Sequence, residues 1–60
     1  MSKPSEEVLF HARCELEAML VANVERARRG ESPAYNEEAF LTLAENTRGE
    51  FRRAQEYDTP

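Results

Sequence analysis

The sequence predicts an all-α chain, an antiparallel hairpin of two helices. Three observations point there. Apolar residues recur at spacings of three and four through two long segments, from Leu9 to Ala27 and from Phe40 to Tyr57. Gly30 and Pro33 fall together between those segments. No alternating run of β-branched residues offers a strand. With 60 residues, the chain has room for one domain, residues 1–60.

Helix 1 is expected over about Ser5–Arg29. Glu6 and Glu7 occupy its opening turn and Arg26, Arg28 and Arg29 its last, each suited to the sign of the helix dipole. Gly30 is placed as the left-handed residue that ends the helix, because it lacks a Cβ. The loop is expected at residues 30–32. Ser32 followed by Pro33 reads as the N-cap and first position of helix 2, expected over about Pro33–Tyr57. Lys3-Pro4 and Asp58-Thr59-Pro60 read as frayed ends.

Each helix carries one apolar stripe. On helix 1 it is Leu9, Ala12, Leu16, Met19, Leu20, Asn23 and Ala27. On helix 2 it is Phe40, Leu43, Ala44, Thr47, Phe51, Ala54 and Tyr57. Folding about a short loop sets layers. Asn23 and Val24 meet Phe40, Met19 and Leu20 meet Leu43 and Ala44, and Leu16 meets Thr47. Ala12 then meets Phe51, and Leu9 meets Ala54. Asn23 and Thr47 stand at core positions, where a polar group can set register.

A second apolar line remains on helix 1. Phe10, Cys14 and Val21 lie off the main stripe, with Val24 between the two, and Leu41 is similarly off-axis on helix 2. Burying each such side chain stabilises by about 1.5–3 kcal/mol. A lone helix pair has no use for them. A chain this short buries only about 60% of the surface it exposes unfolded, and its single Cys allows no internal disulfide. Completion by a second layer is therefore expected, either a dimer forming a four-helix bundle or a different partner protein.

Composition excludes several classes. The net charge is −4, from 12 acidic and 8 basic residues, which disfavours nonspecific nucleic-acid binding. No apolar run approaches the roughly 20 residues of a membrane span, and the first residues carry no secretory-signal pattern. With one unpaired Cys this favours a cytoplasmic setting. No enzyme activity is expected, because a single hairpin frames no cleft. His11, Cys14 and Glu15 share a helix face one turn from Glu7, but a structural zinc site takes four well-placed ligands, typically with paired Cys or His, and the chain has one of each. The Cys–His pair has no oxyanion donors. No cofactor, metal or small-molecule substrate is expected.

Arg48, Arg52 and Arg53 form the one basic concentration on helix 2. Glu45 and Glu56 at helical spacing suit a salt-bridged, solvated face. The alternative is a nucleic-acid contact. Gly49, in mid-helix opposite the stripe, either admits a close neighbour or weakens the helix locally.

The length and the hairpin architecture resemble the Rop-type plasmid regulators, short helical hairpins that dimerise into four-helix bundles and bind RNA; the likeness is one of shape, without a shared motif. Arg29-Gly30 followed by Tyr35 resembles the turn of the small hairpin cochaperones of type III secretion needle subunits. That second resemblance implies a cochaperone-like class.

The functional expectation is a small non-enzymatic protein-binding module, an adaptor, inhibitor or cochaperone. Its contact residues are Phe10, Cys14, Val21, Val24 and Leu41. The alternative is a dimeric regulator that binds RNA or DNA through Arg48, Arg52 and Arg53.

Overall fold

The computed structural model describes residues 3–58. It contains two packed helices, α1 (Pro4–Arg28) and α2 (Glu37–Asp58). Ser5 at the start of α1 hydrogen-bonds Asp58 at the end of α2. Asn23 near the other end of α1 bonds Tyr35, just before α2. The helices therefore run antiparallel, as the sequence predicts.

Pro4 is the first residue of α1, where its missing N–H is not needed. The Lys3 backbone N–H donates to the Glu6 carboxylate at 3.2 Å. Lys3 and Pro4 thus belong to an ordered helix start, and Asp58 to α2, rather than to frayed ends. Thr59 and Pro60 lie outside the described residues. The far end of α1 closes as the glycine predicts. Gly30 has φ 74°. Its N–H donates to the Ala27 carbonyl at 3.0 Å, and the Glu31 N–H reaches the Arg26 carbonyl at 2.9 Å. This is a Schellman turn, which satisfies two of the last carbonyls of α1.

The start of α2 differs from expectation. The helix begins at Glu37, four residues beyond Pro33, and residues 29–36 form the connection. Asn36 is the N-cap. Its Oδ1 accepts the Ala39 backbone N–H at 3.0 Å, and Glu37 and Glu38 fill the first turn. Tyr35 cannot join the helix, because the Asn23 amide holds both of its backbone groups. The Tyr35 N–H donates to Asn23 Oδ1, and Asn23 Nδ2 donates to the Tyr35 carbonyl, each at 2.9 Å.

The helix register agrees with the expected layers. Continuing one turn beyond the pairing of Leu9 with Ala54 sets Ser5 opposite Asp58, where they bond. The rotation of α1 about its axis differs. Met19 is buried and Val8 half-buried, whereas Leu9 and Leu20 are 49% and 48% exposed. Ala44 and Tyr57 are also exposed, contrary to their place in the expected stripe. Leu16, Leu43, Thr47 and Phe51 are half-buried between the helices.

The result is one layer thick. The Cα positions extend 51 × 23 × 7 Å. The buried apolar side chains among the described residues are Met19 and Ala54, at 7% and 8% exposure. No helix in the described residues is long and apolar enough to cross a membrane.

Candidate interaction surfaces

A hairpin of this shape has two broad faces and two edges, and its chemistry differs on each. One broad face carries an apolar groove along the interhelical seam. Leu9, Ala12 and Leu16 line it from α1, and Phe40, Ala44 and Phe51 from α2, over a floor of Leu43 and Thr47. Leu20 continues the α1 row toward the loop. Arg13 and Arg48 stand at the groove's margins, and no carboxylate lines it. Arg13 is paired along its own helix with Glu17, Nε to Oε1 at 3.0 Å.

The opposite broad face is polar and acidic. Glu15, Glu38 and Glu50 line it with Asn36, Thr42 and Asn46, around a narrower apolar strip that includes Val8, Ala39 and Met19. His11 is the one basic-capable side chain there. Its ring meets Phe10 edge-on, with centroids 6.0 Å apart.

The outer edge of α1 holds the line singled out by the sequence. At about 100° per residue, Phe10, Cys14 and Val21 fall within an arc of about 40° that points directly away from α2. Phe10 is 66% and Val21 56% exposed, and Cys14 is a free, exposed thiol. Val24 is also exposed, between this edge and the apolar groove. Leu41 is exposed on the other helix, about 140° around α2 from the buried Ala54 and outside the lining of the groove. The five residues thus do not form one patch. Three share the α1 edge, Val24 stands between that edge and the groove, and Leu41 is on the other helix.

Sequence reasoning missed the groove itself. It placed Leu9, Leu20 and Ala44 inside the hairpin, and so understated the apolar surface left outside. The signal was present in the sequence. The apolar residues of α1 span more than half its circumference, too wide an arc for one partner helix to cover.

The arginines of α2 are dispersed. Arg48 borders the groove, Arg52 lies on the outer edge, and Arg53 is about 140° around the helix from Arg48. None of the three makes an ion pair among the described residues. Asn23 and Thr47 have different roles. Thr47 sits in the seam, reached from both faces, whereas Asn23 fastens the loop. A Cβ at Gly49 would meet no atom within 4 Å, so that side of α2 is open. Among the described residues, His, Cys, Asp and Glu form no cluster that could hold a metal ion.

Comparison of the chain with protein-family models, curated proteins and solved structures found no match.

Proposed function

We propose that the chain is a non-enzymatic protein-binding hairpin, completed by a second helical layer that is its own copy or another protein. One observation carries this reading. Among the described residues the hairpin buries two apolar side chains, Met19 and Ala54, and leaves Leu9, Phe10, Leu20, Val21, Val24 and Leu41 exposed. Isolated exposed apolar residues are ordinary. Here they run as rows on one helix and continue into a groove, which is the pattern of an interaction surface. A soluble role of the adaptor, inhibitor or cochaperone class in the cytoplasm fits a small acidic chain of this kind. The α1 edge of Phe10, Cys14 and Val21 is the surface proposed for a foreign protein.

A photo-crosslinking amino acid at position 10, in the source cell, tests this directly. The expected result is one recurrent adduct. Its purified protein should bind the chain saturably and lose affinity on Phe10→Glu with Val21→Glu. Absence of an adduct, or binding indifferent to that double change, contradicts the edge assignment. Binding of labelled RNA or DNA that weakens with salt and on Arg48→Ala with Arg52→Ala would instead favour the nucleic-acid reading.

A further inference from the structure

We propose that the apolar broad face is closed by a second copy of this chain. The two hairpins would stack face to face into a four-helix bundle that keeps both α1 edges free. The inference rests on the protein-binding reading and names the partner at its largest apolar surface.

Area is the first argument. The hairpin exposes 5133 Å², whereas a compact monomer of 6.9 kDa exposes about 4,000 Å². The excess, about 1,100 Å², is close to what one partner contributes to a stable interface, about 800 Å² or somewhat more. A second hairpin of the same breadth laid on one broad face would bury area of that order. It also converts a single layer, 7 Å deep in Cα positions, into the two-layer arrangement in which helices ordinarily bury their apolar stripes.

Shape and charge are the second argument, and they select the face. A twofold contact needs one surface that complements itself. The groove face supplies bulk at Leu16, Phe40 and Phe51 beside hollows at Ala12 and Ala44. Its α1 margin carries both signs, because Glu17 pairs with Arg13, and Arg48 stands on the α2 side. The opposite face would bring Glu15, Glu38 and Glu50 against their own copies, and like charges brought together out of water repel. Self-association through that face is therefore opposed, and the groove face remains.

The test is the solution mass of the full chain at micromolar concentration, measured by sedimentation equilibrium. Two variants probe the face. Ala44 and Leu20 are exposed in the single hairpin, so Ala44→Arg and Leu20→Gln leave its internal packing intact, and both replacements favour helix. The edge control is Phe10→Glu with Val21→Glu. The expected result is a dimer for the wild type and the edge control. Each face variant should weaken dimerisation by roughly 30-fold or more. A helical wild-type monomer overturns the proposal, as does a dimer lost in the edge control but kept in both face variants. Assemblies larger than a dimer also overturn it, because they indicate groove-to-opposite-face stacking. A wild-type monomer that still gives the position-10 adduct leaves the protein-binding reading standing. A dimer without an adduct removes the foreign-partner edge and keeps the self-closure.

Discussion

Asp58, at the last turn of α2, accepts hydrogen bonds from both the backbone N–H and the hydroxyl of Ser5, in the first turn of α1. The two residues are 53 positions apart in the chain. The carboxylate thus satisfies a helix N-terminal N–H that has no partner within its own helix, and places negative charge at the positive end of the α1 dipole. A helix of one strand of the hairpin is capped by the end of the other. Ser5 is buried with its hydroxyl matched, so the open end of the hairpin is fastened.

Removing this fastening should be felt. Asp58→Ala leaves the Ser5 hydroxyl and N–H without their partner and is expected to destabilise by about 1–3 kcal/mol. Urea denaturation at fixed protein concentration measures it. Faster amide exchange in the first turn of α1 should accompany the loss. Unchanged stability and exchange would show that the contact contributes nothing.

The loop end is fastened by Asn23. Its amide makes a two-bond ring with the backbone of Tyr35. Asn23→Ala should cost about 1–2 kcal/mol and increase proteolytic nicking between Glu31 and Asn36. Asn23→Asp keeps the acceptor for the Tyr35 N–H but sets a carboxylate oxygen against the Tyr35 carbonyl, so it too should destabilise. A loop equally protected in Asn23→Ala would contradict the clamp.

The two glycines should respond oppositely. Gly30 holds φ 74°, and Gly30→Ala forces a Cβ into the left-handed region at a cost of about 1 kcal/mol. Gly49 lies mid-helix with nothing near its missing Cβ, so Gly49→Ala should stabilise by up to about 1 kcal/mol. Thermal unfolding of both variants separates the cases. Destabilisation by Gly49→Ala would place a neighbouring backbone against that side of α2.

How much of this was legible in the sequence depends on how local each cause is. The turn at Gly30 was legible, because a left-handed helix end selects glycine by sterics alone. The register at the open end was legible too, since the paired apolar stripes set Leu9 against Ala54 and one further turn sets Ser5 against Asp58, even though the connection is longer than expected. The start of α2 was not. Ser32-Pro33 looks like a helix start, but the competing cap, Asn36, depends on Asn23 holding Tyr35 from another helix. No local pattern reports that. The rotation of α1 was illegible for a different reason. With apolar residues at Val8, Leu9, Phe10, Met19, Leu20 and Val21, α1 has no unique inward direction, and the choice of Val8 and Met19 over Leu9 and Leu20 is made by packing. The same breadth hid the groove and made the edge the more visible candidate.

In the proposed assembly one hairpin is half of a folded unit. The most direct measurement of this is thermal unfolding by circular dichroism across a roughly hundredfold range of chain concentration, since association with a second copy makes the midpoint depend on concentration. The predicted result is a cooperative transition whose midpoint rises steadily with concentration. A well-folded chain whose midpoint does not move over that range would contradict it.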